Sequence, residues 1–386
     1  MNILVINSGS SSLKVAVFQC NGGGEIELLR GAVEGIGQPM GRLWIQQNNG
    51  KRIDRTMASP APEEALSAII VLLDSLGIKP PVAISHRVVH GGVLFAEPKR
   101  IDAGLLRSLG CLIHLAPLHL PSQIAMIEDS LRHFPGVPQV ACFDTAFFRQ
   151  LPERSQRQPL PSFLWDAGVR RYGFHGLSYE SILATHPAAK KGRVIIAHLG
   201  NGCSLAALRD GRPLNTSMGF TPTSGLMMST RSGDLDPNVL IYLIKHLGYT
   251  YDELENLVNH ESGLKGVSGL RGDMRQLLEV RHQFPAADLA IEMFCDGVRR
   301  QIGAYAADLA GLDQLIFTGG IGEGASAVRR SICSGLEHLG VYLADPELPA
   351  PGIISSPSSA CTVAVVRSDE ELMIARHCRK LVPCLQ

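Results

Sequence analysis

Short apolar runs, separated by polar and glycine-rich punctuation, set the pattern of this chain. Runs at residues 3–6, 13–18, 82–89, 140–143, 194–197, 204–208, 315–317 and 362–366 are too short for helices and predict β-strands. Between them lie longer stretches with apolar residues at helical spacing. One spans 62–76 and stops at Gly77. Another spans 236–246, with Asp236 as N-cap, Pro237 at the first helical position and Gly248 beyond. The longest covers 286–310 and is closed by Gly311; further helices are expected at 325–339, closed by Gly340, and at 370–381. Strands alternating with helices indicate an α/β protein.

The pattern also repeats. ILVINSGSSSLKVAVF near the start is similar to VIIAHLGNGCSLAALRDG about half the chain later, with Ser12-Leu13 aligned on Ser204-Leu205. Each copy reads as strand, Gly/Ser/Asn turn, strand. This is either a duplicated unit or a coincidence of two Gly-rich hairpins. The polar segment 149–170, with Pro152, Pro159 and Pro161, reads as a crossing between halves.

Composition narrows the class. Of 386 residues, 45% are hydrophobic, enough for a sizeable core, and the length suggests two domains. Thirty-six Lys and Arg balance 36 Asp and Glu, which argues against nucleic acid and against a basic membrane surface. No apolar run reaches the ~18 residues of a spanning helix, and MNILVINSGSSSLKVAVF reads as strand-turn-strand rather than signal peptide. The nine Cys form no C-x-x-C pair and read as reduced thiols of a cytoplasmic protein. Glycine is in excess, 40 residues against a usual ~7%. That excess points to tight turns or to backbone approaching a ligand.

Seven segments carry candidate chemistry, each with a plainer alternative. The turn from Asn7 to Lys14 offers small donors and one ammonium to a phosphate, or is an ordinary polar hairpin; it leads into a strand and is no Walker loop. Arg87, inside an apolar run before Gly91-Gly92, requires an anionic partner, either a ligand or a structural carboxylate. Asp144 ends a strand, where α/β proteins place functional carboxylates, or caps a helix. His175 sits between Gly173 and Gly176, as an oxyanion donor or a structural His. Residues 215–236, containing Arg231, form a long polar loop that is functional or a solvated Ω-loop. The turn from Phe317 to Gly324 suits a phosphate or nucleotide, although such turns are common. Glu370 and Glu371 either complement a helix N-terminus or hold Mg²⁺. Isolated Arg and Lys, a strand-end Asp, a His, an acidic pair and Gly-rich turns are together the parts of phosphoryl transfer.

In order, NSGSSSLK, HRVVHGG, LAPLH, FDTAF, RRYGFHG, HLGNG, TSMGFTP, TRSGDLDP, GDMR, FTGGIGE and EELMIAR resemble the acetate/propionate (short-chain carboxylate) kinase family over nearly the whole chain. That family belongs to the sugar kinase, Hsp70 and actin superfamily. The resemblance implies an α/β fold of two duplicated ribonuclease-H-like domains with a nucleotide cleft between them. Here these would be 1–148, joined by the C-terminal helix 372–386, and 149–371, carrying most of the nucleotide site. It implies reversible transfer from ATP to acetate, with ATP/ADP as co-substrate and Mg²⁺ or Mn²⁺ as metal, in a cytoplasmic homodimer without nucleic-acid or membrane partners. By the same resemblance Asn7 and Glu370 attend the metal, and Lys14 lies near the phosphates. Arg87, Arg231, His175, His119 and Asp144 form the catalytic centre. Asn201, Gly202, Asp273, Met274, Arg275 and Gly319, Gly320, Ile321 and Gly322 bind nucleotide, while Val89, Leu118 and Pro222, with Arg87, bind the acyl substrate. A carboxylate is already ionised, so attack requires no general base; this favours an orienting or electrostatic role for Asp144. Direct in-line transfer is the expected course.

The chain departs from the family pattern at Leu120, where Asn is usual, at Phe148, where His is usual, at Ser229 and at Cys203, and 149–164 fits poorly. Two other readings remain. One is a propionate or butyrate kinase, since one methylene changes discrimination by only ~1–3 kcal/mol. The other is a catalytically inactive nucleotide-binding regulator.

Overall fold

The computed structural model describes residues 1–9, 12–21, 24–58, 61–344 and 350–382. Ser10 and Ser11 of the first turn and the last four residues of the expected C-terminal segment lie outside the described residues. The chain divides into two compact units: Met1–Phe147 with the segment from Asp369 onward, and Phe148–Ser368.

The first unit is built on an eight-stranded sheet ordered β5-β4-β3-β2-β1-β6-β8-β7. Its strands are β1 (Asn2–Ser8), β2 (Ser12–Asn21), β3 (Gly24–Glu34), β4 (Met40–Gln47), β5 (Arg52–Ala58), β6 (Ala83–Val88), β7 (Lys99–Arg100) and β8 (Gln139–Phe143). β1 through β5 form an antiparallel meander, whereas β1, β6 and β8 run parallel. Every residue of β1 is buried, as a central strand covered on both faces requires. Leu4 and Ile6 join Leu66 and Ile69 of helix Pro62–Ser75 and Met126 of helix Leu120–His133 in one core. Alternation gives Ile3 and Val5 to the other face. The C-terminal helix Glu370–Leu381 packs against β1, β2, β6 and β8 through a stripe containing Ile374, Ala375 and Cys378.

The second unit has a six-stranded sheet ordered β11-β10-β9-β12-β14-β13. These strands are β9 (Arg193–Leu199), β10 (Cys203–Arg209), β11 (Arg212–Thr216), β12 (Gln314–Thr318), β13 (Gly352–Ile353) and β14 (Thr362–Val365). β9, β10 and β11 are antiparallel, β9, β12 and β14 parallel, and β13 is an antiparallel edge. Setting aside the two extra strands β4 and β5, this repeats the first sheet strand for strand, down to the short antiparallel edge. The hairpin similarity in the sequence is therefore the visible part of a duplicated topology. Helix Pro285–Leu309 covers this sheet with Ala290, Phe294, Val298, Ile302 and Leu309 buried along one face.

All eight expected strands are present. Residues 24–58 carry three strands that periodicity does not announce, because β5 is largely exposed and charged and β4 only half apolar. The helix expected over 325–339 is interrupted: it runs Ser326–Cys333, breaks at Gly335 with φ +95°, and resumes as a single 3₁₀ turn, Glu337–Leu339. The glycines 319–324 are themselves one short helix rather than a turn before one. Helix Pro237–Leu247 forms as expected, and none of its residues is buried. Among the described residues no helix is long and apolar enough to cross a membrane.

Candidate active site

Ligands of open α/β sheets gather beyond the carboxyl ends of parallel strands. In the first unit, three such ends lie side by side. Ile6 of β1 pairs with His86 of β6, and Val88 of β6 with Phe143 of β8. The register therefore delivers Asn7, Arg87 and Asp144 to one place. Arg87 Nε donates to both Asp144 oxygens at 3.1 Å, and its Nη2 donates to Oδ2. Its Nη1 donates to Asn7 Oδ1 at 3.3 Å, and Glu370 Oε2 lies 3.6 Å from Nε. Asn7 Nδ2 in turn donates to Glu370 Oε2 at 3.3 Å and Glu371 Oε1 at 3.1 Å. Burial opposes the Arg87 charge, but Asp144 and Glu370 outweigh it and hold its pKa above the ordinary arginine value. The Glu371 carboxyl is raised, first by burial and then by neighbouring Glu370, against the pull of Lys14 and Asn7. Lys14 stands opposite Asn7 across the hairpin.

The acyl candidates sit on the same unit. Val89 follows β6, and its backbone N–H donates to Gln123 Oε1 at 2.9 Å; Gln123 Nε2 donates to the Ser8 carbonyl at 3.1 Å. A wholly buried glutamine thus ties the end of β1 to the residue after β6. Leu118 and His119 form the turn that opens helix Leu120–His133, and the His119 carbonyl accepts from Ser122 Oγ and from the Gln123 N–H. Leu120, one of the departures, is core.

In the second unit, β9 and β12 end together, Thr318 opposite His198. The Gly200–Gly202 turn follows β9, and the short helix Gly319–Gly324 follows β12. Gly319 adopts φ +79°, and a Cβ there would lie 2.6 Å from the Leu199 carbonyl, so only glycine fits. Glu323 Oε1 accepts from the Gly319 N–H at 3.1 Å, and Arg329 Nη1 donates to the Gly322 and Glu323 carbonyls. Both ends of this short helix are therefore fastened.

His175 precedes helix Gly176–Thr185 in the left-handed conformation, φ +60°, uncommon for a bulky residue. Its Nδ1 lies 2.9 Å from Ser204 Oγ, and its ring stacks on His198 with centroids 4.2 Å apart. Gly202 separates it from Arg231: a Cβ on Gly202 would stand 3.4 Å from His175 Nε2 and 3.5 Å from Arg231 Nη1. Arg231 Nη1 donates to the Pro222 carbonyl at 3.2 Å. Residues 217–236 are irregular throughout but not loose. Gly225 and Asp234 bond each other twice, and the Met228 N–H reaches the Arg231 carbonyl. The Asn201 carbonyl accepts from the Ser229 N–H at 3.2 Å, and Ser229 Oγ donates to the Gly272 carbonyl at 2.6 Å. Ser229, one of the departures, thus links the Asn201 turn to the Gly272 segment. Asp273 caps its own helix, Met274–Val280, accepting from the Gln276 N–H at 3.0 Å. Met274 is buried and Arg275 exposed.

Asn7, Lys14, Arg87, Val89, Leu118, His119, Asp144 and Glu370 thus belong to the first unit, and His175, Asn201, Gly202, Pro222, Arg231, Asp273, Met274, Arg275 and Gly319–Gly322 to the second. Within each unit the structure adds residues that the sequence reading passed over: Gln123 behind Val89, and Ser204, Tyr179 and His198 around His175. Ser204 was visible in the internal repeat. Gln123 gave no signal, since a polar residue in a helix reads as a solvated position.

Comparison with known proteins identifies the family. The model of the acetokinase family matches residues 2–376. An acetate kinase of Rhodopseudomonas palustris is 41% identical over 391 aligned residues, covering 98% of each chain. Among solved structures, a propionate kinase from Francisella tularensis superposes with TM-score 0.91 at 37% identity, covering 99% of this chain and all of the other. An acetate kinase from Porphyromonas gingivalis superposes with TM-score 0.86 at 36% identity, covering 98% and 99%.

Proposed function

Because the chain belongs to the acetokinase family and is an ATP-dependent acetate kinase, we propose how its two residue sets divide the reaction. ATP gives its γ-phosphoryl group to acetate, yielding acetyl phosphate and ADP, and the reaction runs in both directions. Acetate and ATP repel each other as anions. The first unit answers with Arg87, whose Nη1 and Nη2 each carry a second N–H beyond those given to Asn7 and Asp144. Asp144 orients that guanidinium; it is no base, because a carboxylate nucleophile has no proton to lose. In the first unit Val89 and Leu118 are assigned to the methyl group, and His119 follows Leu118 in the same turn.

The second unit takes the nucleotide along Asn201, Gly202, Asp273, Met274, Arg275 and Gly319–Gly322. Arg231 and the Nε2 edge of His175, both beside Gly202, stabilise the charge spread over the equatorial oxygens. In the first unit Lys14, opposite Asn7, is the ammonium assigned to phosphate. Transfer is direct and in line. Inversion at a chirally labelled phosphorus is the expected result; retention would point to a phosphoenzyme.

Mg²⁺ fits the first unit. Three carboxylates, Asp144, Glu370 and Glu371, crowd near Arg87 and Lys14, and like-charge crowding contributes to raising Glu371. Asp144 is engaged by Arg87, which leaves Glu370 and the Asn7 amide as the holders. Among the described residues no three His, Cys, Asp or Glu form a metal-binding group; Mg²⁺ commonly takes one or two carboxylates and keeps several waters. When bound, Mg²⁺ or Mn²⁺ neutralises phosphate charge.

We place the enzyme in the cytoplasm, as the family resemblance implies; the unburied apolar helix Pro237–Leu247 supports a homodimer. The observation that carries the site assignment is the buried Arg87–Asp144 pair joined through Asn7 to Glu370. Hydroxamate formation from acetate, propionate and butyrate with Mg-ATP tests the reading. Acetate is expected to give the highest kcat/KM; no turnover on any of the three would indicate a nucleotide-binding regulator. Arg231→Ala is expected to bind ATP without turnover.

A further inference from the structure

His175 donates usefully to a phosphoryl group only with its proton on Nε2, and a neutral imidazole carries one proton for two nitrogens. Which nitrogen holds it depends on the bond made by the other. Here the other is Nδ1, and its partner is Ser204 Oγ at 2.9 Å. Ser204 lies on β10, is wholly buried, and its hydroxyl also bonds the Tyr179 hydroxyl. Tyr179 is one helical turn beyond His175, and its N–H donates to the His175 carbonyl at 3.1 Å. Backbone and side chains therefore close a ring through His175, Tyr179 and Ser204.

The serine has one proton to give. A phenol, with its pKa near 10, is a better donor and a poorer acceptor than an aliphatic alcohol, whereas an imidazole nitrogen is a good acceptor. The favourable order is therefore Tyr179 O–H to Ser204 Oγ, and Ser204 O–H to His175 Nδ1. We infer that Tyr179 and Ser204 form a hydroxyl relay that locks His175 in the Nε2–H tautomer, making it a neutral, directed donor to the transferring phosphoryl group. This deepens the function proposed above and rests on the assignment of His175.

The surroundings support the relay. The ring of His198 lies flat against His175 and is itself held by Ser178 Oγ at 2.8 Å, which opposes a flip of the His175 ring. Phe148 meets Tyr179 edge-on at 5.6 Å and fixes the phenol. Arg231 beside Gly202 already brings a full positive charge to the Nε2 side, so a second cation there is disfavoured. Arg231 supplies charge and His175 supplies direction. Tyr179 and Ser204 are positioning residues.

The test uses the full-length enzyme labelled with ¹⁵N-histidine, with the His175 signals identified by their loss in His175→Gln. The expected wild-type spectrum shows a protonated Nε2 and an unprotonated Nδ1. In Tyr179→Phe, which keeps the ring and its packing, and in Ser204→Ala, the signals should move toward a mixture of tautomers. Turnover should fall on the order of ten-fold, less than for a lost direct donor, with KM for ATP and acetate nearly unchanged. An Nδ1–H tautomer in the wild type, or folded variants with unaltered spectra and turnover, overturns the relay. The prior assignment fails separately: it falls if His175→Ala keeps full turnover. A loss in His175→Ala without any loss in the two relay variants sinks the relay alone.

Discussion

A single guanidinium shows how stability and activity share one residue. Asp144 is wholly buried and the Arg87 side chain only 18% exposed, so each charge depends on the other. Arg87→Ala leaves Asp144 buried without that partner, and the expected loss is about 3 kcal/mol, read as a lowered urea midpoint at unchanged m. Turnover falls about 10²–10³-fold at the same time. Replacing both residues by Ala should recover part of the stability and none of the activity; a double variant whose loss equals the sum of the two single losses would mean the pair is not coupled. Gly202 is the converse case. A methyl there meets only ordinary contacts, so Gly202→Ala should unfold within about 0.5 kcal/mol of wild type. It would nevertheless fill the space onto which His175 Nε2 and Arg231 Nη1 both open. Turnover should therefore drop by about ten-fold or more. Full turnover in a folded Gly202→Ala enzyme would show that these two donors do not converge on the transferring group.

Elements were legible where one physical signal dominated. β1 and β9 are continuous apolar runs and read as central strands, while the helix Pro285–Leu309 shows its buried face at helical spacing. β3 to β5 did not, because strands exposed on one face and charged at the sheet edge carry no such run. The site followed the same rule. Its glycine-punctuated strand ends were visible, but the residues that brace them are buried polar groups inside elements, and periodicity does not distinguish these from surface positions. His86 is such a residue. It lies in the middle of β6, 2% exposed, and its Nε2 bonds Gln139 of β8 at 2.7 Å. Burial lowers its pKa to about 4, from an ordinary 6.5, against the opposing effect of Gln139. Below pH 6.5 the unfolded chain takes up a proton that the folded chain refuses. Stability is therefore fully present above pH 6.5 and lost as pH falls toward 4, by up to about 3 kcal/mol. His86→Gln keeps a partner for Gln139 and has nothing to titrate. Its unfolding free energy should be flatter than wild type between pH 4 and 6.5; parallel profiles would show that His86 is not the titrating group.

At the scale of the molecule, duplication explains why candidate site residues recur at corresponding strand ends. Asn7 lies at the end of β1 and the Gly200–Gly202 turn just beyond β9, while Val89 follows β6 as Gly319 follows β12. The sequence repeat exposed only the first of these correspondences, since the strands share order and direction long after side chains have diverged. One surface belongs to neither site. Helix Pro237–Leu247 presents Val239, Ile241, Tyr242, Ile244 and Leu247, between 39% and 57% exposed, with Tyr251 beyond it at 82%. A contiguous run of aliphatic and aromatic side chains on one helix is costly to leave in water, and such a patch marks an association surface. A second copy of the chain is the proposed occupant, because two-fold pairing makes one apolar patch complementary to itself. Ile241→Glu combined with Ile244→Glu places two charges on that surface without touching the core. Sedimentation equilibrium at micromolar concentration should return twice the chain mass for wild type and a single chain mass for the double variant, with its fold retained by circular dichroism. A wild type that sediments as one chain, or a variant that remains dimeric, would remove this helix from the interface.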